Sequence, residues 1–312
     1  MLRSLLSELP DEQTRQIKKL LHGAKAATSR ILPKQQLMLR TLVRKQQKRF
    51  IQRFYSYSAA QLESALAGLG IQPGDTLLVH SSFKELSGFS GSLASLLSTF
   101  IKAVGDSGNL MMVSLPYTSY TRDYLKTLKC FDVRKTPSRM GLISESFRRS
   151  TGVLRSLHPT HPVLARGPKA KWIVEGHENC THPCGIDSPY GKLAQLHGKV
   201  LFFDTSFYVF TFYHYLEELV KDQVSFPLYA ERPYQVPVMD YDGNSRVIPV
   251  FVFSEESIRR RRPQILRKEL KKRGLIHRTT VGNSELVLVS TDDAIACVVD
   301  MAHHGSYFYS KS

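Results

Sequence analysis

Residues 76–115 read TLLVHSSFKELSGFSGSLASLLSTFIKAVGDSGNLMMVSL. The stretch opens as a buried strand, TLLVH, and closes that run in two small polar residues, Ser81 and Ser82. GSLASLLSTFIKAVG follows as a helix bounded by glycines, and GNLMMVSL is a second buried strand. Strand, loop, helix and strand in that order predict a parallel α/β layer.

The segments around it extend the pattern. Ser58 is a plausible N-cap for a short helix beginning AAQLE, and IQPGD at 71–75 is a turn. GKVLFFDTS (198–206) reads as a third strand and TFYHYLEELV (211–220) as the helix after it. YQVPVMDYDGNSRVIPVFVF (234–253) reads as a hairpin turning at Asp242-Gly243-Asn244. EESIRRRRPQILRKELKKRG is a basic helix interrupted at Pro263. TTVGNSELVLVST is a terminal strand pair, and TDDAIACVVDMAHHG a closing helix. No repeat or low-complexity tract appears. The fold class expected is α/β, a three-layer α/β/α arrangement with a mostly parallel or mixed sheet. An N-terminal basic helical extension, 1–57, precedes a catalytic domain spanning 58–312.

Bulk properties bound the function. At 312 residues the chain can bury a large core, and its 42% hydrophobic and 22% charged content is that of a globular protein. Four scattered cysteines do not form a disulfide framework, which favours a reducing compartment. The N-terminus has no apolar run of signal-peptide type, and the most apolar stretch, 200–215, is too short to span a bilayer. These features predict a soluble cytoplasmic protein.

Charge adds a preference for partners. Forty-three Lys and Arg against 27 acids give +16, a field that attracts polyanions and repels polycations. Much of it lies in Lys34, Arg40, Arg44, Lys45, Lys48, Arg49 and Arg53, and in a second run from Arg259 to Arg273. A solvated helical face and docking at the inner face of an anionic cytoplasmic membrane both fit the first run. Nucleic acid fits poorly, because no aromatic-interleaved basic strand or recognition helix accompanies the charge.

Two regions could carry chemistry. The Ser81-Ser82 loop, followed by Gly88, Gly91 and a helix start, would offer backbone N–H groups to a phosphate, although its glycine spacing matches no nucleotide fingerprint. The second is Arg155–Leu193, RSLHPTHPVLARGPKAKWIVEGHENCTHPCGIDSPYGKL. Its His177, Cys180, His182 and Cys184 are zinc-compatible in type but irregular in spacing, so no metal is expected. A single histidine acting as general base is the better reading, and it needs a carboxylate to hold its tautomer. Glu217 and Glu218 are the candidates, and His214 shares a helical face with Glu217 at i, i+3.

LLVHSSF, GNLMMVSLPYT, RMGLISESFRRSTGVLRSLHPTHPVLARGPKA, HENCTHPCGIDSPYGKL and FYHYLEE occur in an order that resembles the aminoglycoside 3-N-acetyltransferase family, which is unrelated to the common GNAT enzymes. The resemblance runs from about Ser58 to Leu288. It implies an acetyl-coenzyme A-dependent N-acyltransferase in which His177 is the base, Glu217 orients it and His214 belongs to the same set. It places coenzyme A along His80, Ser81, Ser82, Phe83, Gly88 and Ser188, and the acceptor along Tyr117, His158, Thr160 and Tyr213. The chain departs from the family in carrying Pro162 where a serine is common. Its +16 charge also suits polyanionic coenzyme A better than a polycationic drug. The expected acceptor is therefore an amino sugar in an anionic or lipid-linked setting of glycan biosynthesis. An aminoglycoside acceptor, or a non-catalytic glycan- or membrane-binding role, is the alternative. Homo-oligomerisation is left open.

Overall fold

The computed structural model describes residues 33–82 and 87–310. The chain divides into two units, Met1–Phe54 and Tyr55–Ser312. In the first, α1 (Pro33–Phe54) is the described element. Tyr57, expected within the N-terminal extension, is anchored in the second unit: its N–H donates to Gly88 O at 3.0 Å, and its hydroxyl lies 2.6 Å from Ser284 Oγ.

The second unit is built on a seven-stranded mixed sheet. α2 (Ala59–Gly68) precedes β1 (Thr76–Ser81), α3 (Leu93–Val104) and β2 (Asn109–Val113). α4 (Thr121–Thr127), β3 (Phe131–Asp132), α5 (Leu142–Arg148), β4 (Leu154–Arg155), β5 (Val163–Arg166) and α6 (Ala170–Val174) follow. Next come α7 (Pro189–Gln195), β6 (Lys199–Phe203), α8 (Tyr213–Leu219), β7 (Tyr234–Met239) and β8 (Ser245–Val250). α9 (Glu255–Arg260), α10 (Pro263–Lys272), β9 (His277–Val281), β10 (Ser284–Ser290) and α11 (Thr291–His303) complete the chain. The strand order is β4-β5-β2-β1-β6-β10-β9. β2, β1 and β6 run parallel at the centre, and the outer pairings are antiparallel.

Alternation along the strands explains the three layers, because successive side chains point to opposite faces. Leu77, Val79, Leu110, Met112, Leu201 and Phe203 pack with Leu62 and Leu66 of α2, Leu96 and Phe100 of α3, and Ile143 and Phe147 of α5. Leu78, Met111, Val113, Val200 and Phe202 face the other way, onto α6, α7, α8, α10 and α11. A sheet covered on both faces needs apolar residues at every position, which is why β1 and β2 read as unbroken apolar runs.

Local signals hold where local chemistry decides. Ser58 closes a capping box with Gln61, and the helix broken at Pro263 is the pair α9 and α10. The expected hairpin is β7–β8. It pairs through β7 with β3 to make a separate three-stranded sheet with its own small core, which the sequence pattern had not suggested.

The second basic run is partly neutralised within the fold. Three of its arginines meet carboxylates: Arg260 with Glu256 at 2.7 Å, Arg261 with Glu217 at 2.7 Å, and Arg273 with both Glu269 and Asp300. No described helix is long and apolar enough to cross a membrane.

Candidate active site

The chemistry-bearing residues gather at the C-terminal ends of the parallel strands, where ligands bind in open α/β sheets. β1 ends at Ser81, and the Ser82 N–H donates to Phe203 O at the end of β6. The Ser114 N–H, just beyond β2, donates to Pro162 O, which ties the histidine-rich loop to the same edge. Pro162 thus contributes its backbone carbonyl to the strand end.

His177 lies in a 3₁₀ turn and is fully buried. Its Nε2 is 2.8 Å from Pro183 O, and its Nδ1 is 2.8 Å from Ser156 Oγ. A carbonyl only accepts, so Nε2 carries the proton, and Nδ1 accepts from the serine hydroxyl. Burial is the main reason that the ring's pKa falls to about 3, with the Pro183 carbonyl opposing it. The His177–Glu217 pair expected from sequence is not formed. Both ring nitrogens are engaged elsewhere, and Glu217 bonds to other partners.

Those partners lie on and around α8. Glu217 is fully buried and takes bonds from Arg261 Nε and Nη2 (2.7 and 2.8 Å), the Tyr309 hydroxyl (2.8 Å) and His214 Nδ1 (2.8 Å). Burial alone would raise the Glu217 pKa, but Arg261 and His214 outweigh it and hold the group below the usual carboxylate range. Burial, then the Arg261 charge, lowers the His214 pKa, although a fifth of the side chain remains exposed.

A second histidine–carboxylate pair stands beside it. His182 Nδ1 is 2.9 Å from Glu218 Oε1, and the side chains are 25% and 10% exposed. Glu218 also accepts from Lys221 Nζ and the Tyr229 hydroxyl, both at 2.6 Å. Burial pushes the Glu218 pKa up, but the bonds from His182, Lys221 and Tyr229 prevail and bring it to about 2. The two pairs share one aromatic wall. His182 stacks on Tyr229 at 3.9 Å, Tyr229 on Phe253 at 5.1 Å, and Phe253 lies 4.6 Å from the His214 ring. His161 closes the row, 5.7 Å from His214.

The other predicted residues that the structure describes have partners within the fold. His158 is buried, stacks on His177 at 4.4 Å, and its Nδ1 accepts from the N–H groups of Thr160 and His161. Thr160 is fully buried between the His158 and His161 rings. Tyr213 faces the core and donates to Phe308 O at 3.1 Å. Ser188 is the N-cap of α7, accepting from the Tyr190 and Gly191 N–H groups and donating to Gly185 O. His80 stacks on Phe202, and burial lowers its pKa to about 3. A Cβ on Gly88 would fall 2.1 Å from Tyr55 O, so backbone packing already accounts for that glycine. Tyr117 stacks on Tyr124 at 4.8 Å. Phe83 lies outside the described residues.

Sequence reasoning did not single out His182 alone, Arg261, Tyr229, Phe253 or Tyr309. Only His182 carried a local signal, as a histidine in the same loop as His177. Among the described residues, no three of the histidines, cysteines and acids gather as metal ligands.

A mixed α/β/α fold with carboxylate-held histidines at its strand ends defines the class. The family follows from sequence: residues 78–303 match the model described as aminoglycoside 3-N-acetyltransferase, and the chain belongs to that family. Aminoglycoside N(3)-acetyltransferase III of Salmonella sp is 28% identical over 198 residues, 58% of this chain and 66% of that protein. The Serratia marcescens protein of the same name is 30% identical over 197 residues, 58% of this chain and 70% of its own. The matched stretch thus spans about two thirds of these relatives' length. The fold is similar to that of AAC-IIIb, solved as a binary complex with CoASH, at a TM-score of 0.67 and 21% identity, covering 82% of this chain and 99% of that one.

Proposed function

We propose that the protein transfers the acetyl group of acetyl-coenzyme A to an amine of an aminoglycoside, with His182 as general base and Glu218 fixing its ring. The observation that carries this reading is the His182–Glu218 pair: a half-open imidazole whose Nδ1 is held at 2.9 Å by a carboxylate. The family supports the reaction class, and the relatives' names favour an aminoglycoside over the glycan precursor expected from charge. The AAC-IIIb complex supports coenzyme A as the carrier of the acetyl group.

The chemistry follows from these groups. An ammonium cannot attack a thioester, so its nitrogen must give up a proton. The amine nitrogen bonds to the thioester carbon and the C–S bond breaks. The ammonium's first proton leaves to bulk water before attack; His182 Nε2 takes the second as the C–N bond forms, and that proton passes to the departing sulfur. The Glu218 carboxylate stabilises the imidazolium formed in between. His214, with its pKa lowered by burial and Arg261, stays neutral and lines the same wall. The Ser82 N–H is taken by Phe203 O, so the Ser82 hydroxyl is the donor proposed for the tetrahedral oxyanion, and the start of α3 is proposed for the coenzyme A phosphates.

The +16 charge favours a second acceptor class, an amino sugar in an anionic or lipid-linked setting. Helix α1 supports peripheral contact with an anionic leaflet: Leu42, Val43 and Phe54 are each more than half exposed, Lys45, Lys48, Arg49 and Arg53 are exposed, and the helix has no acid. Calorimetry with acetyl-coenzyme A, then an acetyl-transfer screen of gentamicin, kanamycin and nucleotide-linked amino sugars, tests the reading. Turnover on aminoglycosides supports it, turnover confined to anionic amino sugars moves it to the second class, and no binding of acetyl-coenzyme A ends it. Salt-reversible co-sedimentation with phosphatidylserine vesicles supports the leaflet contact, and equal partitioning to neutral vesicles removes it.

A further inference from the structure

We infer that His177 is a positioning residue, a neutral strut that sets where His182 stands; the inference rests on the proposed role of His182. The turn bearing His182 is closed by the Gly185 N–H donating to His182 O at 3.2 Å. Its far end is held by Ser188, whose hydroxyl donates to Gly185 O at 2.6 Å. Its middle hangs from His177, whose Nε2–H donates to Pro183 O at 2.8 Å. Pro183 directly follows His182, so this bond fixes the backbone one residue from the reacting ring. Glu218 fixes the other end of the same residue, at the ring.

His177 is itself held rigidly. Its Nδ1 accepts from Ser156 Oγ, and that oxygen accepts in turn from the Val163 N–H at 2.9 Å, at the start of β5. The His158 ring stacks on it at 4.4 Å with a 21° tilt, which fixes the ring plane. The connection therefore runs from a sheet strand through Ser156, His177 and Pro183 to His182. Each hydrogen bond in it has one allowed direction, so a single tautomer of His177 satisfies both neighbours. A base must instead present a free nitrogen, and His177 presents none.

Glutamine separates the two roles. Its amide offers one acceptor and one donor at a spacing close to that of the two imidazole nitrogens, but it cannot take up a proton. Steady-state acetyl transfer from acetyl-coenzyme A to gentamicin is measured for His177→Gln, His177→Ala, Ser156→Ala and His182→Gln. His182→Gln is expected to lose about 10²- to 10⁴-fold in kcat. His177→Ala is expected to lose about 10²-fold, the effect of a ~1 Å misplacement, with KM for acetyl-coenzyme A unchanged. His177→Gln is expected to recover most of that loss and to leave the acid limb of the pH profile in place. A folded His177→Gln as inactive as His182→Gln overturns the inference. ¹⁵N NMR of the His177 ring gives a reading independent of turnover: a neutral Nε2–H tautomer from pH 5 to 8 supports the strut, and protonation near pH 6 overturns it. Full activity of His182→Gln with a neutral His177 refutes the assignment of the base, and with it the purpose of the strut, while leaving the NMR result in place.

Discussion

His177 and His182 are five residues apart in one loop, and Glu217 and Glu218 are neighbours on one helix. In each pair one member is fully buried and the other is partly open to solvent. The inward pair is saturated: His177 has both nitrogens bonded, and Glu217 accepts from Arg261, Tyr309 and His214. In the outward pair Glu218 also accepts from Lys221 and Tyr229, but His182 is held through Nδ1 and stays a quarter exposed. A buried polar group must have partners, so it loses the freedom to exchange protons, whereas a half-open one retains it. Side chains of one type in one segment thus divide between a saturated, buried set and a set left open to solvent.

The sharpest test of that division is kinetic. His182→Ala is expected to lower kcat by about 10²- to 10⁴-fold, with unfolding stability close to wild type. Comparable turnover in an acetyl-transfer assay would erase the distinction between the two histidines.

Glu217 and Glu218 test the same division through stability. Glu217→Gln leaves the Arg261 guanidinium, only 16% exposed, without its carboxylate. Breaking one side of a buried pair costs about 3–5 kcal/mol. Glu218→Gln keeps an acceptor oxygen and leaves behind a lysine a third exposed to water rather than a buried guanidinium, so its effect should appear in kcat and more weakly in urea unfolding. Equal stability losses for the two would show that both carboxylates are structural.

How far the sequence could anticipate this depends on range. The β1–α3–β2 order, the β7–β8 hairpin and the Ser58 cap were legible, because periodicity and capping are local. That the loop 177–188 and the helix 213–219 carry histidines and carboxylates that meet was legible. Which histidine meets which carboxylate was not, since a fold can turn residues five apart in a loop to opposite sides. Arg261 looked like surplus surface charge in RRRR, and only the strand ends and α8 make it the counterion of Glu217. Ser188, read as a ligand contact, is a cap, and a serine before proline at a helix start fits that role from sequence as well.

Acid should weaken the inward set first. Burial holds His80 and His177 at about 3, and His158 and His161 well below 6.5, so all four are neutral in the native state. The unfolded chain protonates them near 6.5, and it therefore binds more protons below that pH. Stability is thus full above about pH 6.5 and is lost as pH falls below it, by at most about 1.4 kcal/mol per pH unit for each ring. The lowered carboxylates, Glu145, Glu217 and Glu218, contribute in the same direction but only as pH approaches their unfolded value near 4.5. The interval from pH 6.5 to 5 therefore isolates the histidines. Urea unfolding at pH 7, 6 and 5 should show the decline, and His177→Gln should reduce its slope by up to one proton. A flat profile over that interval would mean that these rings are protonated or open in the native protein.

The smallest effect separates a cap from a ligand contact. Ser188 Oγ accepts from the Tyr190 N–H at 3.2 Å and the Gly191 N–H at 3.3 Å, while its own proton goes to Gly185 O at 2.6 Å. All of its hydrogen-bonding capacity is directed at α7 and the turn before it, and the residue is fully buried. Ser188→Ala should cost about 1 kcal/mol of stability, as loss of an N-cap does. Acetyl-coenzyme A affinity by calorimetry should stay within a factor of about two, since a polar contact to the cofactor would be worth about 1 kcal/mol or more. Ser188→Gly should recover most of the lost stability, because glycine is nearly as good an N-cap as serine. A tenfold loss of affinity in Ser188→Ala with unchanged stability would move Ser188 to the outward, ligand-facing set and shift the boundary between the two regions by one helix turn.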